Sequence, residues 1–274
     1  MHVLPALGHL KLAALQPAHL QELYSNLLPD GLSPKTVCNV HGVIHRALEQ
    51  AASWNLVPRN VARLVSPPRA QRKEIEILGP SQVHDLIAVS KGTRLEVLIA
   101  MALATGLRQG ELLALRWKDV DMDSGVLQVR RQLGRDKQYA KPKTAKGRRS
   151  VGLPPSTVVA LSEHKVRQAQ EQQLMGPEWE FNELVFATHS GRCLGHRNVL
   201  RDYKKLLAKA GLPDVSFHAL RHTSATLLLL QAAHPKVVSE RLGHSRVGVT
   251  LDVYSHVMPS MDRDVAIRLD AMLV

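Results

Sequence analysis

Aromatic residues are scarce in this sequence. Phe, Trp and Tyr together make up 4% of the 274 residues, so the core must consist mainly of Leu, Val, Ala and Ile, a composition that favours helices. Cysteine is almost absent as well, since Cys38 and Cys193 lie far apart and form no pair with metal-ligand spacing. This argues against a disulfide scaffold and for a reducing compartment. No apolar run approaches the roughly 18 residues of a membrane span, so no membrane partner is expected.

Negative charge is also in short supply. Asp and Glu total 24 against 36 Lys and Arg, which gives a net charge of +12. A balance this basic is typical of a protein with a polyanionic partner, most often nucleic acid, although a generally basic soluble protein is the alternative. Apolar residues make up 45% of the chain, enough for a sizeable core in one large domain or two ordinary ones.

The first part of the sequence predicts a small helical domain over residues 1–65. Leu20, Leu23 and Leu27 recur at helical spacing. Ser33 followed by Pro34 is a typical helix start, with Ser33 as the N-cap. The helix that follows carries three basic side chains off its apolar stripe: His41, His45 and Arg46. They are candidate contacts to DNA phosphate, although a solvated helix face would show the same spacing.

Prolines and mixed charge without helical periodicity mark 66–76 as an interdomain linker, followed by a second domain over 77–274. In that domain the patterns predict helices over 81–89, 94–104, 155–174, 196–210, 217–231, 235–242, 246–254 and 259–273, and one more in LRQGELLALRW. Short strands are predicted in VLQVRRQL, KQYAKPKT, RRSVGLP and LVFA. The expected fold class is therefore mainly α with a small antiparallel β-sheet.

One segment is unusually basic. Residues 130–150 hold nine Lys or Arg and one acid, Asp136. A hairpin with so few apolar residues is poorly suited to core packing but suits a strand pair laid along a phosphate backbone. The candidate DNA contacts are Arg130, Arg131, Lys141, Lys146, Arg148 and Arg149.

Polar residues also occur at the ends of apolar helices, in a fixed order. They lie in the motifs ATGLRQGELLALRWKDVD, KPKTAKGRRSVGLP, FHALRHTSATLLL and ERLGHSRVGVTLDVYSHV, which contain Arg108, Lys143, His218, Arg221, His244 and Tyr254. In order and spacing this set resembles the catalytic set of the tyrosine recombinases, also called phage integrases. The resemblance covers residues 80–260, and the helical segment before them looks like the core-binding domain of that family.

The resemblance implies a helical core-binding domain, an α+β catalytic domain and a reaction on a DNA phosphodiester. Arg108 and Arg221 would hold the non-bridging oxygens, because guanidinium groups bind such oxygens in a fork. Tyr254 would attack the phosphorus and give a 3′-phosphotyrosine, with His218 as the best-placed base. The remaining roles would be protonation of the 5′ oxygen by Lys143, a hydrogen bond from His244 to the phosphate, and orientation of neighbouring side chains by Glu111. No metal or other cofactor is expected.

The implied partners are double-stranded DNA with inverted-repeat core sites, three more copies of the chain in a tetramer, and accessory DNA-bending or directionality proteins. We expect a cytoplasmic, nucleoid-associated protein that integrates or excises a phage or mobile element. The alternatives are a decayed DNA-binding relative without catalysis, a type IB topoisomerase-like enzyme and a general nucleic-acid-binding module. The opening residues resemble the end of the family's first core-binding helix, so an N-terminally shortened chain is expected. Lys141 and Lys146 lie close enough to Lys143 to take its place.

Overall fold

The computed structural model describes residues 2–70, 76–142 and 145–244, together with 248, 251, 269–270 and 272–273. The chain divides into two compact units, Met1–Glu74 and Ile75–Val274. The division falls inside the segment 66–76. Each unit has an apolar core of its own.

The smaller unit contains helices α1 (Val3–Leu7), α2 (Pro17–Leu27) and α3 (Pro34–Ser53). Ser33 caps α3 as predicted: its Oγ accepts a 3.2 Å hydrogen bond from the backbone N–H of Thr36, and Pro34 takes the first helical position. Helices α2 and α3 supply most of the buried core: Leu20, Leu23, Tyr24, Leu27, Val37, Ile44 and Leu48. The apolar stripes of the sequence are therefore the faces that the two helices bury.

The larger unit is built around a largely buried helix. Its described helices are α4 (Pro80–Ser90), α5 (Glu96–Thr105), α6 (Gln109–Leu113), α7 (Pro155–Met175), α8 (His196–Lys209), α9 (Ala219–Leu230) and α10 (Pro235–Leu242). Helix α5 packs against α4, α7 and α9. Leu98, Ile99 and Met101 are inaccessible to solvent, as expected for a helix that is apolar on all sides.

A small antiparallel sheet lies in the same unit. Its strands β1 (Val120–Asp121), β2 (Val126–Val129) and β5 (Arg149–Gly152) run in the order β1-β2-β5. A separate ribbon pairs β3 (Gln132–Leu133) with β4 (Tyr139–Ala140). In the β2–β5 register Leu127 lies opposite Val151 and Val129 opposite Arg149, and Leu127, Val129 and Val151 are buried. The side chain of Arg149 therefore starts from the inner side of the sheet.

The fold class predicted from the sequence is confirmed, with corrections to single elements. LVFA is not a strand: Leu184 and Ala187 make isolated bridges to Arg116 and Cys193. VLQVRRQL is two strands, because pairing stops after Val129. Apart from single positions, the helices predicted over 246–254 and 259–273 lie outside the described residues. Within the described part of the chain, no helix is both long and apolar enough to cross a membrane.

Candidate functional site

Arg108 stands at the start of α6, directly after the end of α5. Gly106 ends α5 in the left-handed region, with φ of +64°. The Arg108 backbone N–H donates to Oε2 of Glu111 at 3.0 Å, and its Nη1 donates to Oε1 at 2.9 Å. One carboxylate thus fixes both the backbone and the guanidinium of Arg108, whose side chain keeps 40% of its surface exposed. The orienting role of Glu111 stays a prediction, which these contacts support.

Glu111 has a second cationic partner, Arg149. Nη2 of Arg149 lies 2.9 Å from Oε2 of Glu111, and Nη1 lies 3.3 Å from Oε1. Burial alone raises the pKa of the Glu111 carboxyl, but the hydrogen bonds and charge of Arg149, with those of Arg108, outweigh it and hold the pKa below its usual range. The carboxylate is therefore ionised at neutral pH although it is almost inaccessible to water.

Arg221, on the first turn of α9, is a buried cation that joins the C-terminal ends of α5 and α10. Its Nη1 donates to the carbonyl oxygen of Gly106 at 2.7 Å, and its Nη2 donates to that of Leu242 at 2.6 Å. Burial, and then the charge of Arg108, lowers the pKa of the guanidinium to about 9, so Arg221 stays charged at neutral pH. Only 2% of the residue is exposed.

His218 is the N-cap residue of α9, one turn before His222. The two rings are in edge contact, with centroids 4.9 Å apart and planes at 80°. Surrounding protein removes water from part of the His218 ring, and His222, Arg221 and Arg108 add positive charge, which together lower its pKa to about 4. His218 is therefore a neutral imidazole at pH 7.

His244 follows Gly243, which ends α10 with φ of +68°. The residue is 8% exposed. Burial, followed by the charges of Arg221 and Arg108, lowers the pKa of His244 to about 3. Arg221 binds the carbonyl oxygens of Gly106, two residues before Arg108, and of Leu242, two residues before His244. Together with His218, the N-cap of α9, four of the predicted residues therefore share one site where α6, α9 and α10 meet. The other two, Lys143 and Tyr254, lie outside the described residues.

The basic segment borders two clefts beside this site. A groove of about 560 Å³ runs over β2 and β5 and is lined by Gln128, Val129, Arg130, Lys141, Arg148, Arg149 and Ser150. A second cleft of about 290 Å³ is lined by Lys146, Arg148, Arg149, Lys236, Ser239, Glu240, Gly243 and His244. Arg130, Lys141, Lys146 and Arg148 are exposed there. Lys146 and Arg148 therefore line the same cleft as His244, and Arg130 and Lys141 line the groove that shares Arg148 with it.

Two other predicted DNA contacts are held by the protein itself. Nε of Arg131 donates to the carbonyl oxygen of Ala114 at 2.8 Å, and its guanidinium carbon lies 4.3 Å from the centroid of the Tyr139 ring. Arg149 has 7% of its side chain exposed and is bound to Glu111. A direct phosphate contact by Arg149 stays a prediction, and its nearly buried guanidinium is bound to Glu111.

The candidate contacts in the smaller unit lie along α3. Nδ1 of His41 is 2.9 Å from the hydroxyl of Tyr24. The rings of His41 and His45 are tilted relative to each other, with centroids 5.9 Å apart. Arg46 is exposed, and its Nε donates to the carbonyl oxygen of Gly42. Of the three, Arg46 is the most open to a phosphate.

The chemistry available to this site is anion binding with acid–base capacity. Arg108 and Arg221 are fixed cations, and His218 and His244 are neutral imidazoles that can accept or donate a hydrogen bond. Among the described residues no group of three or more His, Cys, Asp or Glu side chains is arranged to hold a metal ion. The arrangement is suited to a phosphate group.

The model of the phage integrase family matches residues 76–261. The chain belongs to the phage integrase family. It is 31% identical to a protein named tyrosine recombinase XerC-like from Caldanaerobacter subterraneus subsp. tengcongensis, over 97% of this chain and 73% of that protein. An integrase of Saccharopolyspora erythraea is 28% identical over 98% of this chain and 74% of its own length. The prediction of a tyrosine-type site-specific recombinase is thereby confirmed.

Solved integrase structures share the fold. The Tn1549 transposon integrase, determined in complex with a circular intermediate DNA, superposes with a TM-score of 0.80 at 21% identity, over 96% of this chain and 88% of that one. A lambda integrase dimer bound to a COC′ core site gives a TM-score of 0.66 at 16% identity, over 92% of this chain and 68% of that one. At these identities the likeness is one of fold.

Sequence reasoning about this integrase missed the pairing of Arg149 with Glu111. A signal for it does exist. Arg149 and Val151 are two residues apart on a short strand, so both side chains start from the same face, and Val151 is apolar. A charged residue on a buried strand face requires a buried counter-charge. The density of positive charge around Arg149 concealed that pattern.

Proposed function

We propose that this integrase cuts and rejoins duplex DNA at core sites with inverted repeats, through a covalent bond between Tyr254 and a 3′ phosphate. The non-bridging oxygens of the scissile phosphate bind to the guanidinium groups of Arg108 and Arg221. The observation that carries the proposal is that Arg221 binds the carbonyl oxygen of Gly106, two residues before Arg108, and that of Leu242, two residues before His244. Two cations and two neutral imidazoles therefore share one small site.

In the cleavage step the Tyr254 hydroxyl oxygen forms a bond to phosphorus while the bond from phosphorus to the 5′ oxygen breaks. The phenolic proton passes to His218. The ordinary pKa of Tyr is about 10, so attack at neutral pH needs such a base. His218 becomes a stronger base when DNA binds, because the phosphate offsets the positive charges that lower its pKa in the free protein.

The departing 5′ oxygen takes a proton from Lys143, and His244 donates a hydrogen bond to a phosphate oxygen. The product is a phosphodiester on Tyr254 and a free 5′ hydroxyl. Attack by a 5′ hydroxyl of another strand reverses each transfer, releases Tyr254 and joins the strands. One diester is exchanged for another at each step, so the reaction needs no nucleotide cofactor.

The DNA partner is engaged by both units. The smaller unit, residues 1–65, acts as the core-binding domain, and residues 77–274 form the catalytic domain joined by the linker. Four copies assemble on two duplexes, and accessory DNA-bending or directionality proteins choose between integration and excision. The protein works in the cytoplasm at the nucleoid.

Covalent capture tests the proposal. The substrate is duplex DNA from the ends of the chain's own element, with a nick near the cleavage site. After cleavage the short fragment that carries the free 5′ hydroxyl is lost, so the strand cannot be rejoined and the covalent product is trapped. We expect a protein–DNA adduct on a denaturing gel with the wild type and none with Tyr254→Phe. An adduct that persists in Tyr254→Phe would show that another residue is the nucleophile. DNA binding without any adduct would identify a non-catalytic relative, and plasmid relaxation without site preference would identify a topoisomerase-like enzyme.

A further inference from the structure

The carboxylate of Glu111 is saturated by two arginines. It accepts four hydrogen bonds: the backbone N–H and Nη1 of Arg108, and Nη1 and Nη2 of Arg149. Two carboxylate oxygens offer about four acceptor positions, so none is left for water or another donor. Glu111 is nearly inaccessible to solvent, with 2% of its side chain exposed, so the position of each guanidinium depends on the other.

The remaining donors of Arg149 reach two further elements. Its Nε donates to the carbonyl oxygen of Arg241 at 2.7 Å, and its Nη1 donates to that of Gly147 at 3.1 Å. Arg241 lies in the last turn of α10, three residues before His244. Gly147 closes the basic connection before β5. Arg149 thus joins the start of α6, the end of α10 and the base of the basic loop.

Close packing adds to this connection. A Cβ at Gly243 would lie 2.9 Å from Nη1 of Arg149 and 2.8 Å from the carbonyl oxygen of Lys146. The turn that carries His244 is therefore pressed against the Arg149 guanidinium. A shift of Arg149 would move the surroundings of Arg108 and of His244 together.

We propose that Arg149 is a positioning residue for strand cleavage: it holds Arg108 through Glu111 and the His244 turn through the Arg241 carbonyl. It does not contact DNA. The inference rests on the proposed function, since Arg108 is taken to bind the scissile phosphate. Arg149 lies in the basic segment because it also holds the loop of that segment, through the carbonyl oxygen of Gly147.

The role requires arginine. Glu111, Arg241 and Gly147 lie in different directions around one planar group, and the guanidinium supplies donors to all three. A Lys ammonium keeps the charge but cannot present a bidentate pair to the carboxylate together with a third donor along Nε. We therefore expect Arg149→Lys to retain the charge of the site and lose its geometry.

The experiment measures single-turnover cleavage of the nicked DNA at saturating concentration, and DNA affinity separately. A displacement of about 1 Å in a catalytic group costs about 100-fold in rate, so we expect Arg149→Ala to lose about 100-fold in cleavage with little change in affinity. Arg149→Lys recovers only part of this loss. Arg148→Ala, a neighbour whose side chain is exposed, loses mainly affinity. Arg167→Ala on α7 removes the same charge and serves as the unaffected control.

A double-mutant cycle with Glu111→Gln tests whether Arg149 acts through Glu111. If it does, the double variant cleaves no more slowly than the worse single variant, because both changes break one connection. Multiplicative losses would show independent action and overturn the proposal. Should Arg149→Ala fail to fold in a thermal melt, Arg149→Lys enters the same cycle.

The pH profile supplies a readout that general damage to the fold would not give. Without Arg149, burial raises the pKa of Glu111, so the carboxylate takes up a proton at higher pH and releases Arg108. The acid limb of the cleavage rate should therefore move to higher pH in Arg149→Ala. An unmoved limb and a normal saturating rate, combined with weaker DNA binding, would instead make Arg149 a phosphate contact. If the wild type forms no adduct, the proposed function fails; if the wild type and Arg149→Ala cleave equally, only this inference fails.

Discussion

Arg221 donates a 2.7 Å hydrogen bond through Nη1 to the carbonyl oxygen of Gly106, and so ties the first turn of α9 to the turn before Arg108. This one hydrogen bond therefore fixes the position of Arg221 relative to the turn that carries Arg108. Gly106 suits this position because its φ of +64° is costly for other residues and because a Cβ there would overlap the side chain of Leu242.

We expect Gly106→Ala to destabilise the protein by more than the cost of a positive φ at this position alone. A left-handed φ costs a non-glycine residue about 1–2 kcal/mol, and overlap in a packed site adds about 1–3 kcal/mol. Gly92→Ala is the matched control, since Gly92 also has positive φ, +73°, but has no atom near the added Cβ. Urea denaturation of both variants measures the difference. Equal losses would show that Leu242 moves aside without cost.

Lowering the pH should destabilise the protein, and part of this loss should depend on His244. The unfolded histidine titrates near about pH 6.5, whereas burial and the nearby guanidinium groups lower the pKa of His244 in the folded protein to about 3. Below about pH 6.5 the unfolded chain binds the proton and the folded chain does not, so stability is lost as the pH falls. The slope contributed by this one residue approaches about 1.4 kcal/mol per pH unit.

The measurement is the free energy of unfolding at pH 7, 6 and 5 for the wild type and His244→Gln. The variant should lose less stability over this range, because glutamine does not titrate. Parallel curves for the two proteins would contradict a neutral His244 in the folded state.

Arg130→Ala and Arg148→Ala should each weaken DNA binding and reduce its dependence on salt. Both side chains are exposed along the groove over β2 and β5. A lost phosphate contact lowers the slope of log K against log salt concentration by about 1. Fluorescence anisotropy over a range of salt concentrations measures this slope. The Arg167→Ala control on α7 should keep the wild-type slope, and an unchanged slope for Arg130→Ala would remove Arg130 from the DNA-binding surface.

Replacing the 5′ bridging oxygen by sulfur should identify the lysine that acts as general acid. A thiolate departs without a proton, so a variant that lacks the acid recovers on the sulfur substrate. We expect Lys143→Ala to cleave ordinary DNA slowly and the sulfur substrate at nearly the wild-type rate. Lys141→Ala and Lys146→Ala are the comparisons. Recovery of Lys146→Ala in place of Lys143→Ala would transfer the role to Lys146.

Local features of this fold were predictable because they are decided within a few residues. The Ser33 cap and the apolar pattern of α5 are examples of such short-range rules. LVFA misled because an apolar run is equally compatible with core packing: Val185 and Phe186 are buried, but only the ends of the segment pair with other backbone.

The set of site residues could be predicted from motif order, but its internal connections could not. Arg149 and Glu111 are 38 residues apart, on a strand and a helix, and Arg221, on the first turn of α9, reaches the last residue of α10, Leu242. Spacing along the chain can show that Arg149 needs a counter-charge, but it does not show which residue supplies it. Such contacts follow from the packing of whole elements. The sequence showed only that Arg149 lies in a basic segment, and Arg149 was therefore predicted to face DNA.

The shared carboxylate of Glu111 has a consequence for charge balance. Among the described residues of the site, three guanidinium groups face one carboxylate, while His218 and His244 are neutral, which leaves two positive charges uncompensated. A DNA phosphodiester carries one negative charge, and its pentavalent state after attack by a phenolate carries two. The surplus of positive charge among the described residues therefore stabilises the pentavalent state more than it stabilises the substrate, and this difference accelerates the reaction.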